Sequence, residues 1–308
     1  MRIRTAVAAA ALLTVVGCSQ APDHRASMPL PVPLNGAAQP APDEERVLHE
    51  AEERAVASCM RDKGFGYRRV PPVPAPGANP YGLLTREEAE DDGYGMTSAA
   101  LAAPGPDPNV RLTEGWSTER RKGWERALVG TSRHERTITA RHAPSLRVNT
   151  NGCVYQSQIE LYGRGWEEAR LALEGVNAKL LDDVTSTKAY AKGQRAWARC
   201  MRSRGEPYST LDDARGAIQQ QLAGAGTTPE ALRRVARKEL DLAVGDAQCQ
   251  DESKLADIIR TGQRRAEKQL PDSAHRLAER VSAARQRVVA DTPAGTATPR
   301  NTAADGPT

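Results

Sequence analysis

Apolar residues recur at helical spacing through most of the chain. Val47, Leu48, Ala51, Ala55, Val56, Cys59 and Met60 share one helix face, which predicts a helix stopped at Gly64, a residue with no Cβ to resist positive φ. Ser117 is placed to cap a helix running to about Val129 and ending at Gly130. Further helices are expected over Cys153 to Leu161, Trp166 to Asp183, Thr187 (cap) to Arg204, and Leu211 to Leu222. Thr228-Pro229-Glu230 is a start signal, because proline at the first helical position gives up an amide that has no partner there. That helix reaches Cys249. Leu255, Ile258, Ile259 and Gly262 continue the stripe toward Leu270, Pro271 interrupts it, and Leu277, Val281, Ala284 and Val288 mark a last helix.

Two stretches lack this period. Residues 68–110, with Pro71-Pro72, Pro74, Pro76 and Gly105-Pro106, predict a long, mostly irregular excursion, and 131–150 read as loop with a short extended piece around Arg136 to Ala140. Runs of Val and Ile that would build a parallel sheet are missing, which argues against a dinucleotide-binding or barrel enzyme. The expected class is all-α: antiparallel helices with long irregular loops.

The ends are different. Arg2 and Arg4 precede the eleven-residue apolar stretch Ala6 to Val16, too short for a spanning helix. The whole reads as an export signal over residues 1–17. Val15-Val16-Gly17-Cys18 resembles the lipobox of bacterial lipoproteins, in which the cysteine receives a diacylglyceryl thioether; an ordinary secretory signal is the plainer alternative. Cys18 is therefore the expected lipidation site, and the outer face of the cytoplasmic membrane the expected location, with the bilayer as partner. Residues 18–42 contain six prolines and no apolar period, so a semi-extended tether is expected, reaching roughly 70 Å at ~3.1 Å per residue. Residues 292–308 read as a disordered tail, leaving a helical domain over 43–291.

Leu, Ile, Val and Phe together number 50 of 308 residues, about 16%, below the roughly 20% at which folding is dependable. The core is thin and must be braced by other means. The formal charge of +4 drops to +2 once Arg2 and Arg4 leave with the signal. The 35 Arg and 8 Lys are interleaved with acids, so the concentrated basic footprint of a nucleic-acid binder is missing.

With Cys18 lipidated, Cys59, Cys153, Cys200 and Cys249 form an even set in a disulfide-permissive compartment. Three pairings are open to four cysteines. A repeat selects one. Arg54 to Tyr67 lies over Arg195 to Tyr208 at an offset of 141, with eight identities in fourteen, including Cys59-Met60-Arg61, Gly64 and Tyr67 against Cys200-Met201-Arg202, Gly205 and Tyr208. Each copy is followed by one further cysteine. Two repeat-related halves, approximately 43–184 and 185–291, should carry the same bond, which predicts Cys59–Cys153 and Cys200–Cys249.

The same residues, with Tyr81-Gly82, Gly93-Tyr94-Gly95, Gly152-Cys153, Leu161-Tyr162-Gly163 and Trp197, make a pattern that resembles a group of actinobacterial lipoproteins of unassigned function. The resemblance implies an envelope-anchored helical domain and brings no catalytic residues.

Candidate chemistry is sparse. The five histidines are scattered, no HExxH, GxSxG or phosphate-loop pattern occurs, and neither a metal nor another cofactor is expected. His134 and His142 share a loop with Arg133, Arg136 and Arg141, a conceivable anion site or plain exposed loop. Glu87-Glu88 with Asp91-Asp92 offer paired carboxylates, or a solvated helix face. Seven of twelve aromatics fall between residues 81 and 166. Tyr81, Tyr94, Trp116, Trp124, Tyr162 and Trp166 are the candidate binding surface, or alternatively core beneath the loops. The basic stripe Arg264, Arg265, Lys268, Arg276, Arg280, Arg285 and Arg287 suits anionic lipid or wall polymer, but Glu267, Asp272 and Glu279 intersperse it. The expected function is non-enzymatic: binding or scaffolding of another envelope protein or cell-wall polymer. The alternative is a cell-wall-acting enzyme or accessory factor using carboxylates and aromatics of residues 81–166.

Overall fold

A computed structural model describes residues 28–73, 76, 79–226 and 228–292. Helices dominate them: α1 (Pro42–Asp62), α2 (Arg86–Asp92), α3 (Met96–Ala102), α4 (Pro108–Thr113), α5 (Thr118–Val129), α6 (Cys153–Tyr162) and α7 (Trp166–Thr185). The chain continues through α8 (Lys188–Ser203), α9 (Leu211–Ala225), α10 (Pro229–Ser253), α11 (Leu255–Glu267) and α12 (Asp272–Asp291). Caps follow the sequence signals. Ser117, Thr187 and Thr228 each accept from the backbone amide three residues on, and Pro271 stands just before α12.

Both predicted disulfides are present, Cys59–Cys153 and Cys200–Cys249. Each joins an antiparallel pair. Against α1, α6 runs from Cys153 beside Cys59 to Tyr162 beside Glu52. Against α8, α10 runs from Lys238, paired with Glu206 beyond the end of α8, to Cys249, and the start of α11 at Leu255 and Ile258 lies over Gly193. Both copies of the Cys-Met-Arg motif end in the same cap. Gly64 (φ +79°) and Gly205 (φ +84°) follow the helix, and the amides of Phe65 and Glu206 return to the carbonyls of Met60 and Met201. Met60 and Met201 are wholly buried.

The largest core surrounds α10, with Leu180 and Val184 of α7, Trp197 and Met201 of α8, Ile218 of α9, and Leu255 and Ile259 of α11. A second lies between α1, α7 and α12, and a third beneath the Cys59–Cys153 bond, where Trp124 of α5 meets Val56 and Met60. Alanine supplies 14 of the 41 buried apolar positions among the described residues. Small side chains let helix axes approach, so backbone and Cβ contacts replace part of the missing Leu and Ile.

Residues 68–110 are mostly irregular, as expected, but a Thr85–Glu88 capping box, Gly95 and Asp107 start three short helices within or at the end of that stretch. Two expectations are corrected. The 131–150 loop holds a hairpin, β1 (Glu135–Ile138) antiparallel to β2 (Leu146–Asn149). The described part of the tether, residues 28–41, is docked on the body, with Pro31, Pro33 and Ala37 buried. It makes one 3-10 turn at Pro33–Gly36, and carbonyls on either side of that turn are taken by side chains from elsewhere. Arg260 bonds Pro29 O, Asn79 bonds Pro31 O, Gln263 bonds Val32 O, and Arg285 bonds Ala37 O and Ala38 O. The Leu34 amide donates to Glu267 at 2.8 Å. The lipidation site, the signal and the 292–308 tail, but for Thr292, lie outside the described residues.

Candidate functional site

The six candidate surface aromatics divide five to one. Tyr81, Tyr94, Trp124, Tyr162 and Trp166 are between 2% and 8% exposed, and only Trp116 is half-exposed, with the Arg120 guanidinium 4.2 Å from its ring centre. The five are core. Tyr162 stacks on Trp166 at 4.1 Å and donates to Glu52, while the Trp124 indole donates to Gly66 O. Tyr162 and Trp166 pack among α1, α7 and α12, and Tyr81 and Tyr94 against the core around α10, so they offer no face to a partner.

Beneath residues 79–97 lies a row of buried polar side chains along one face of α10: Glu239, Asp246 and Gln250. Asp246 accepts from Trp197 Nε1 (2.8 Å), Gln250 Nε2 (2.8 Å) and the Tyr94 hydroxyl (2.9 Å). Gln250 takes the Leu84 amide, and Glu239 takes the amides of Tyr94, Met96 and Thr97 at the start of α3. Arg215 lies 4.7 Å from the Tyr94 ring centre and bonds Gly82 O. Burial raises the pKa of Asp246, and raises that of Tyr94 far above the usual tyrosine range, reinforced by the Asp246 charge. Every acceptor faces backbone or core, so the row acts as a clasp for the 79–97 loop. Sequence pattern misses it because Glu239 and Asp246 look like ordinary charges on a long helix.

Glu87, Glu88, Asp91 and Asp92 are exposed on α2, and Glu88 is engaged with Thr85 in the capping box. They form a solvated face. Among the described residues no three His, Cys, Asp or Glu side chains gather as a metal site, and no helix is long and apolar enough to cross a membrane.

Among the described residues, two surface recesses stand out. One, about 360 Å3, lies where the hairpin meets the α6–α7 junction and is lined by Arg136, Thr150, Tyr155, Gln156, Ile159, Arg164 and Gly165. The Arg136 guanidinium donates to the Tyr155 hydroxyl at 2.8 Å and pairs with Glu168 at 2.6 Å. That fixes the ring and leaves exposed Arg164 on the rim. Of the loop cations expected around His134 and His142, Arg136 is the one placed here. The other recess, about 430 Å3, lies at the end of α11 and is lined by Thr261, Arg264, Arg265, Lys268 and Gln269. Arg285, expected in the same basic stripe, is buried beside Trp166 and holds residues 37 and 38.

Comparison with known protein families, curated proteins and solved structures finds no match.

Proposed function

We propose that this chain is a lipoprotein of the outer face of the cytoplasmic membrane, acylated at Cys18, that holds another envelope component without catalysing a reaction. The docking of residues 29–38 carries this reading. Pro29, eleven residues after Cys18, is already bonded to α11. At ~3.3–3.6 Å per residue, the intervening chain allows at most about 40 Å between an acylated Cys18 and the body, roughly half the reach of a free tether. Such a short link suits a fixed body at the membrane face. The two disulfides suit an oxidising compartment. The matching caps at Gly64 and Gly205 support reading the body as two related units.

The partner surface we propose is the recess of Arg136, Tyr155, Gln156 and Arg164. A fixed aromatic ring, an amide and a rim guanidinium suit a partner that offers a carboxylate beside a flat apolar group, as an envelope protein or wall polymer does. A photoreactive residue replacing exposed Gln156, crosslinked in living cells, tests this. A discrete adduct that is lost on Arg164→Glu supports the reading; recovery of the monomer alone, with or without Arg164, overturns it.

A further inference from the structure

We infer that the end of α11 is a second membrane contact, in which Arg264, Arg265 and Lys268 rest on anionic lipid headgroups and set the orientation of the body. The inference rests on the lipid-anchor reading above. Three observations carry it.

All three cations are exposed around one recess, and none has an ion-pair partner among the described residues. Glu267, which in sequence sits among them and would neutralise them, is turned away: its carboxylate accepts from the Leu34 amide and from Gln263. Asp257 is likewise occupied, by Arg260 at 2.6 Å. Glu267 and Asp257 are thus spent on the docked segment and on a neighbouring pair; Asp272, beyond the Pro271 break at the start of α12, is exposed, and one acid against three cations leaves this end of α11 basic.

The docked N-terminal segment lies along the same helix. Arg260 holds Pro29 O at 3.1 Å. At 1.5 Å rise per residue, Arg264 to Lys268 lie only ~6–12 Å further along the helix axis. A bilayer tethered through Cys18 comes within the same ~40 Å of Pro29, which leaves these cations within its reach. Cations within a Debye length of an anionic surface each strengthen attachment about fivefold.

Amine acetylation of the purified full chain, reconstituted in vesicles, reads this directly. On vesicles of phosphatidylcholine with one part in three phosphatidylglycerol, Lys268 should react at least fivefold more slowly than on phosphatidylcholine alone. Lys122 on α5, a helix packed on α1 and α6, should react equally on both. High salt, or Arg264→Ser with Arg265→Ser, should abolish the protection of Lys268, and Arg264→Lys with Arg265→Lys should keep it. Equal reactivity of Lys268 on the two vesicles, or protection unchanged in the serine variant, overturns the inference. The mass of the Cys18 peptide reports separately on the anchor: where it is unacylated, the anchor reading fails, and the soluble chain mixed with the same vesicles still decides the α11 contact.

Discussion

Trp197 Nε1 and Asp246 Oδ1 meet at 2.8 Å in a site where neither residue is exposed to solvent. One carboxylate there satisfies three donors from three segments: the indole of α8, the amide of Gln250, and the Tyr94 hydroxyl of the loop. Asp246→Ala leaves two or three buried donors unpaired, at ~1–3 kcal/mol each. A loss of at least about 3 kcal/mol is expected in urea unfolding. Asp246→Asn keeps the carbonyl acceptor and should cost well under half of that. Equal losses would show that charge, and not hydrogen bonding, fixes the loop.

Acid should stabilise the protein through the same residue. Burial raises the folded-state pKa of Asp246 and of Glu52, which accepts from Tyr162 at 2.7 Å. A folded-state pKa above the unfolded value means the native chain takes up the proton first as pH falls. Each carboxyl therefore adds stability on acidification, starting as pH enters its raised pKa and complete near the ordinary value of about 4. Unfolding midpoints measured from pH 7 downward should rise over that window more in the parent than in an Asp246→Asn, Glu52→Gln variant.

Gly175 lies inside α7, where alanine would ordinarily gain ~1 kcal/mol. A methyl group there would fall within the van der Waals radius of the Arg141 carbonyl oxygen. Backbone against backbone cannot yield as a flexible side chain does, so the clash outweighs the propensity. Gly175→Ala should lower stability by about 2 kcal/mol or more. A more stable variant in thermal unfolding would refute the close approach.

Arg285 donates to the Ala37 and Ala38 carbonyls. Replacing it with alanine should release the docked segment locally, with new protease cleavage between residues 30 and 41 while α10 stays protected in hydrogen exchange. Cleavage unchanged from the parent would place the hold elsewhere, on Gln263 and Glu267.

The bonds Cys59–Cys153 and Cys200–Cys249 close loops of 94 and 49 residues. In the chain-entropy model each is worth ~4–5 kcal/mol at most, comparable with the net stability of a typical domain. Reduction should lower Tm by well over ten degrees, and Cys200→Ser with Cys249→Ser should reproduce part of that drop.

The helices outside residues 68–113, both disulfide pairs and the caps at Gly64, Gly130 and Gly205 are legible because each is encoded locally or by the repeat; the short α2, α3 and α4 are not. The docked segment was not: prolines at 29, 31 and 33 look the same in solvent as on a surface, and what fixes them comes from Asn79, Arg260, Gln263 and Arg285. The aromatic cluster misled for a related reason. Tyr81 and Tyr94 sit among turn residues, and only the buried face of α10 makes that loop a lid on the core. The basic stripe was read by order along the chain, whereas Glu267 and Arg285 turn to the docked segment and drop out of it.

Apart from Asn79, which bonds Pro31 O, the side chains that hold residues 29–38 come 231 to 248 positions later. Synthesis proceeds from the N-terminus, so this segment emerges first and finds its seat last, once α11 and α12 exist. Its docking therefore requires the finished chain: one truncated before α11 would retain all four cysteines of the two disulfides yet lack most of the side chains that seat its N-terminal segment.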